Sequence, residues 1–179
     1  MTTTEHDIQN ILWRRWRHLG GVVIIPNYTP AQWFECDIMY LTVAQYMREY
    51  EIKLTVADFR ADFMKGANGQ DHHRYVGGLW TKQPYLSKHQ RLANGDPKGP
   101  KQFWYVTPEG LVSQDDIPDY AGLWWVTDQP HRRIQEVRAA PVLHKAKVED
   151  KVIRHALGVC YWRMWHERLR ADRLTANTP

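Results

Sequence analysis

Cysteine is scarce in this chain. Cys36 and Cys160 are the only two in 179 residues, and they form no Cys-x-x-Cys pair. That excludes a zinc-knuckle spacing, offers no disulfide framework and fits a reducing compartment. Long apolar runs are also missing, which argues against a transmembrane helix. The opening MTTTEHDIQN is polar and acidic, unlike a signal peptide. Neither GANG nor PKGP is followed by the Lys-Ser/Thr of a phosphate-binding glycine loop. No Gly-x-Ser-x-Gly occurs, so a serine-hydrolase elbow has no support. No internal repeat and no linker separates the chain into parts, and residues 1–179 read as one domain.

What is present is a globular composition, 43% hydrophobic, with nine tryptophans suited to core or rim packing. The net charge of +4 leans mildly toward polyanionic partners. Ile8, Ile11, Leu12 and Trp16 recur at helical spacing, with a threonine at 2, 3 or 4 as cap and Gly20-Gly21 as stop. Strands are expected at 22–25, 33–42 and 48–55, then a helix over 55–66 led by Thr55. Residues 66–102 are glycine-rich, basic and polar, and read as a functional excursion with short structure of its own. Strands follow at QFWYVT and AGLWWVT, then an extended QEVRAAPVLH and a long basic helix over about 147–175. The order predicts an α/β fold with a central mixed sheet flanked by helices.

Two of these strands carry charge where a buried pattern should not. Glu35 and Asp37 interrupt FECDIMYL, and Glu51-Ile52-Lys53 interrupts the third strand. Alternate strand residues share a face, so Asp37 lies with Met39 and Leu41, and Glu51 with Lys53. A hairpin centred near Ala44 places Asp37 opposite Glu51, with β-carbons ~4.5–5.5 Å apart. Carboxylates that close repel unless a cation stands between them, and Mg²⁺ suits such oxygen ligands. Lys53 beside it would serve a water or neutralise developing charge, as phosphodiester hydrolysis requires. A solvated edge also accommodates Glu-x-Lys. Glu5 lies on the inward face of the first helix, over the sheet, or serves as a first-turn acid for the helix dipole.

Taken together, Glu5, Asp37 and Glu51-Ile52-Lys53 in the order helix, three strands, helix, strand resemble the PD-(D/E)XK nuclease superfamily. The resemblance covers about residues 3–127 and implies a restriction-endonuclease-like αβββαβ core, here with a long C-terminal helix added. ECDIMYLT…EYEIKLTVADFRADFMK, FWYVTPEGLV and IPDYAGL are further similar to small phage and bacterial nuclease-fold proteins, some grouped with MmcB-type DNA repair proteins. This implies a cytoplasmic endonuclease of a bacterial or phage-infected cell. It would hold Mg²⁺ or Mn²⁺ through Asp37, Glu51 and the Ile52 carbonyl, with Lys53 serving the attacking water. Cys36 stands where the pattern has proline, and Glu35 is a further candidate ligand. DNA is the expected substrate ahead of RNA, with no membrane partner. The alternative is a catalytically silent protein of this fold that binds nucleic acid or a host protein.

The excursion supplies Lys82, Lys88, Arg91, Lys98 and Lys101, with His72, His73, Trp80 and Tyr85, for contacts to a nucleic-acid strand by charge and stacking. Adjacent histidines point apart, so His72 and His73, with His89 downstream, read as polar loop residues touching phosphate and not as a zinc site. The last helix holds Lys151, Arg154, Arg163, Arg168, Arg170 and Arg173. Its Tyr161, Trp162, Met164 and Trp165 exceed one buried stripe, which points to a homodimer or protein partner there, with core packing as the plainer alternative.

Overall fold

The structure, a computed structural model, describes residues 3–20, 23–64, 72–76, 79–83, 86–127 and 133–176, with backbone alone for 72–76, 79–83 and 174–176. The chain forms an α/β fold around a six-stranded mixed sheet. Helix α1 (Glu5–Trp16) precedes β1 (Val23–Tyr28), β2 (Cys36–Leu41) and β3 (Met47–Ile52). Then come α2 (Val56–Asp62), a hairpin of β4 (His72–Val76) and β5 (Leu79–Gln83), and α3 (Lys88–Ala93). The chain closes with β6 (Gln102–Pro108), β7 (Ala121–Val126), β8 (Ile134–Arg138) and α4 (Asp150–Ala176).

Strand order is β1-β2-β3-β6-β7-β8, while β4 and β5 form a separate two-stranded sheet. The first three strands are an antiparallel meander. β3, β6 and β7 run parallel to one another, and β8 closes the sheet antiparallel. The β3–β6 connection is long enough to carry α2, the hairpin and α3, as a parallel crossover requires.

Period-two alternation divides the core. One face carries Ile38, Tyr40, Tyr50, Ile52, Trp104, Val106 and Trp124, against Ile8, Leu12 and Trp16 of α1. Tyr50 stacks on Trp104 with ring centroids 5.0 Å apart, and Trp16 packs on Tyr40, Tyr50 and Trp124. The other face carries Met39, Leu41, Met47, Phe103, Tyr105 and Leu123, against Phe59 of α2, Leu92 of α3 and Ala156 of α4.

Helix starts follow their caps. Thr4 and Asp7 form a reciprocal capping box at α1, and Thr55 accepts the Asp58 N–H at α2. Within the expected excursion, Ser87 and Gln90 make a second capping box that begins α3. The short structure expected in 66–102 is a hairpin and a helix, the helix packed on the core through Leu92, and the extended QEVRAAPVLH supplies β8, a sixth strand of the sheet. No helix among the described residues is long and apolar enough to cross a membrane.

Candidate active site

The β2–β3 register pairs Ile38 with Tyr50, and the next step along the ladder brings Asp37 opposite Glu51. The Ile52 N–H donates to Asp37 Oδ2 at 2.7 Å, fixing the half-buried carboxylate over β3. Burial, followed by the charge of Glu51, raises the Asp37 pKa from 3.8 to about 7.

Lys53 follows on the same face as Glu51. Its backbone N–H bonds the Val106 carbonyl, continuing the pairing with β6 past the end of β3. Its Nζ lies 2.8 Å from Glu51 Oε1, 3.1 Å from Asp62 Oδ1 and 3.9 Å from Asp58. Burial alone would lower the Lys53 pKa; Glu51 and Asp62 outweigh it and hold the amine firmly protonated.

Asp62 ends α2 inside the core. It faces Lys53, the Tyr105 hydroxyl at 3.3 Å and His89 Nε2 at 3.2 Å, while His89 Nδ1 lies 2.7 Å from the Tyr120 hydroxyl. Against burial, the His89 hydrogen bond and the Lys53 charge depress the Asp62 carboxyl well below the carboxylate range. Glu49, two residues before Glu51 and on the same face, is fully buried and accepts the Trp33 indole N–H at 2.7 Å. Lys88, the first residue of α3, reaches Glu49 Oε1 and Glu51 Oε2, each at 2.6 Å. Burial would raise Glu51, but Lys88 and Lys53 hold its pKa below the ordinary value.

Asp37, Glu51 and Lys53 thus meet on one sheet face, as the spacing predicts. Glu5 approaches from the opposite side at the sheet's edge. Its Oε1 accepts from the Gln9 amide, which also donates to Asn27 Oδ1 and to the Asp37 carbonyl. Glu35 joins through its backbone carbonyl, which accepts from Lys88 at 3.2 Å. Ile52 contributes its amide to Asp37.

The basic set proposed for a nucleic-acid strand is corrected in part. Lys88 is not a surface cation, because the fully buried Glu49 and the buried Glu51 draw its ammonium inward. His89 is not a loop residue touching phosphate, because Asp62, Tyr120 and the Phe63 ring hold it in the core. Arg91 pairs with Asp96 at 2.7 Å and lies over the Trp33 ring. Lys98 bonds Gln32, and the Lys101 ammonium sits 3.6 Å from the Tyr46 ring centroid. The side chains of His72, His73, Trp80, Lys82 and Tyr85 lie outside the described residues.

Sequence reasoning missed Glu49, Asp62 and Lys88 as members of the cluster. Signals existed for two of them: Asp62 falls three residues after Phe59 on the inward face of α2, and Ser87-x-x-Gln90 marks Lys88 as the start of a helix.

The cluster sets four carboxylates (Asp37, Glu49, Glu51, Asp62) against two ammoniums (Lys53, Lys88). The lysines number half of the carboxylates. The donors are hard oxygens, and burial, followed by the Glu51 charge, holds the Asp37 carboxyl above its ordinary range. In charge and donor type the set fits a divalent cation. Both Glu51 oxygens face lysines, so a cation at Asp37 would share Glu51 with them. Among the described residues, no three His, Cys, Asp or Glu side chains are gathered in a metal-ligand arrangement.

No family model matches the chain, and no curated protein does. A solved structure described as "SPO1766 protein of unknown function from Silicibacter pomeroyi" is similar in fold, with a TM-score of 0.55 and 18% identity over 94% of this chain and 90% of that one. At that identity the likeness concerns the fold alone.

Proposed function

We propose that this protein is a metal-dependent phosphodiesterase acting on DNA, with a restriction-endonuclease-like core of α1, β1–β3, α2 and β6. The observation that carries the reading is Asp37 facing Glu51 across one ladder, with Lys53 beside them on the same face. Asp37, Glu51 and the Ile52 carbonyl would hold Mg²⁺ or Mn²⁺. When bound, the ion supplies Lewis acidity and neutralises charge at the scissile phosphate.

The chain's own residues supply positioning and charge. Lys53 is pinned from two sides by Glu51 and Asp62 and stays protonated. It is therefore suited to orient the attacking water and to stabilise developing negative charge, and unsuited to take up a proton. Asp62, braced by His89 and Tyr105, fixes the direction of that ammonium. Glu5, tied through Gln9 to the Asp37 backbone, is an auxiliary acid at the rim. Asp37 is half-buried and Asp58 exposed, so substrate would approach from their side.

The test is calorimetric titration with Mn²⁺. Binding that is lost in Asp37→Ala and in Glu51→Gln supports the reading; heats equal in all three proteins would remove it.

A second reading, an interaction protein of the same fold that does not cut, rests on α4. Leu157, Tyr161, Trp162, Met164 and Leu169 are each about half exposed or more along that helix. Such a surface suits a homodimer or another protein partner.

A further inference from the structure

Lys88 lies outside the motif that defines the proposed centre, yet its ammonium is enclosed by oxygens of that centre. Nζ is 2.6 Å from Glu49 Oε1, 2.6 Å from Glu51 Oε2 and 3.2 Å from the Glu35 carbonyl. Glu49 is wholly buried, with its other oxygen taken by Trp33, and the Lys88 side chain is 13% exposed. A lysine in the first turn of a helix is misplaced with respect to the helix dipole, so helix formation does not account for it. The position of α3 does: Ser87 and Gln90 cap it, Leu92 anchors it in the core, and Lys88 is thereby aimed at β3.

Three oxygens around one cation, two of them carboxylate, resemble part of the shell a hard divalent ion takes. Glu51 links this position to the Asp37 side, offering Oε2 to Lys88 and Oε1 to Lys53. In two-metal phosphodiesterases a pair of ions ~3.5–4 Å apart stabilises both the attacking and the leaving oxygen. We propose that Lys88 is a fixed cation of the centre: its ammonium fills the oxygen-lined position between Glu49 and Glu51 that would otherwise take a second divalent ion, so the site holds one exchangeable metal. The inference deepens the phosphodiesterase reading and rests on it for the first metal. It makes Lys88 a charge-supplying residue whose contribution does not depend on metal concentration.

The experiment compares the intact chain with Lys88→Ala and with a paired Glu49→Gln/Lys88→Met variant. Each is titrated with Mn²⁺ by calorimetry and melted with and without Mn²⁺. Lys88→Ala takes the Lys88 cation from two buried carboxylates, Glu49 keeping the Trp33 indole and Glu51 keeping Lys53, whereas the paired variant removes the Glu49–Lys88 ion pair as a unit. The expected result is one Mn²⁺ per intact chain and one more in Lys88→Ala, whose melting temperature Mn²⁺ raises by more than it raises the parent's. The paired variant, lacking the Glu49 charge, gains no extra ion.

A Lys88→Ala protein with the parent's stoichiometry and affinity overturns the proposal. So does an equal gain in the paired variant, or a Lys88→Ala chain that stays unfolded with and without Mn²⁺. The two readings separate cleanly. If the parent binds no Mn²⁺ but Lys88→Ala binds one, the fixed-cation role stands and the phosphodiesterase reading fails. If the parent binds and cuts while Lys88→Ala gains no ion, the reverse holds.

Discussion

Asp37 and Glu51 stand across from each other on adjacent antiparallel strands, one step beyond the Ile38–Tyr50 pair, and the Ile52 N–H between them bonds Asp37 at 2.7 Å. Like charges directly opposed weaken a ladder. A fold that keeps them there, on a half-buried face, carries a local cost that Lys53 and Lys88 offset at Glu51 and that a cation at Asp37 would relieve further.

That cost is measurable through pH. The folded-state pKa of Asp37 is raised to about 7, above its ordinary 3.8. Between these values the folded state holds a proton that the unfolded chain has released, so stability from this group falls as pH rises from 4 toward 7 and stays low above. Without metal, Asp37→Asn should therefore exceed the parent in stability at pH 8, by ~1–3 kcal/mol given about 1.4 kcal/mol per unit as the ceiling. The advantage should vanish below pH 4. Urea unfolding with EDTA at both pH values checks this, and a less stable Asp37→Asn at pH 8 contradicts it.

Asp62 behaves oppositely. His89 and Lys53 depress its carboxyl, so its contribution is present above the ordinary carboxylate pKa and is lost as pH falls through the folded value. Asp62→Ala leaves Lys53 with one buried partner and removes the carboxylate that His89 Nε2 and the Tyr105 hydroxyl face. The expected loss at pH 7 is ~3–5 kcal/mol, the range for breaking a buried charge network. Denaturant midpoints read it directly, and a change within ~0.5 kcal/mol, as at an ordinary surface position, would deny Asp62 its structural role.

Gly122 on β7 tests the packing of the α1-facing layer. A β-carbon there would lie 2.4 Å from Trp104 Cδ1 and 2.7 Å from the Ala140 backbone nitrogen. One neighbour is a core indole and the other is backbone, so neither yields easily. Gly122→Ala should cost ~1–3 kcal/mol, as overpacking does, and should lower the melting temperature.

The meander and the opposition of Asp37 and Glu51 were legible because the period-two pattern and a turn near Ala44 constrain the register. Thr42 and Gln45 do form the turn there, and Gln45 adopts a positive φ of 63°. Lys88 was not legible as part of the site. In a stretch rich in glycine and basic residues its charge read as surface, and only the partner carboxylates, 37 and 39 residues away in sequence, turn it inward. Glu49 was hidden for the same reason, since strand alternation places it on the acid face without saying that a tryptophan and a lysine meet it there. For Asp62 the spacing from Phe59 marks an inward position on α2, but only the folded structure brings Lys53 and His89 to it.

Cleavage of supercoiled plasmid and labelled single strands tests the central claim most directly. The parent, Asp37→Ala and Lys53→Ala are incubated with Mg²⁺, with Mn²⁺ or with EDTA, after circular dichroism confirms that each is folded. The account predicts metal-dependent cutting by the parent, abolished by EDTA and reduced at least ~100-fold in both variants, as expected when a group that stabilises transition-state charge is removed. Failure of the folded parent to cut any of these substrates with either metal would contradict it, as would undiminished cutting by the variants.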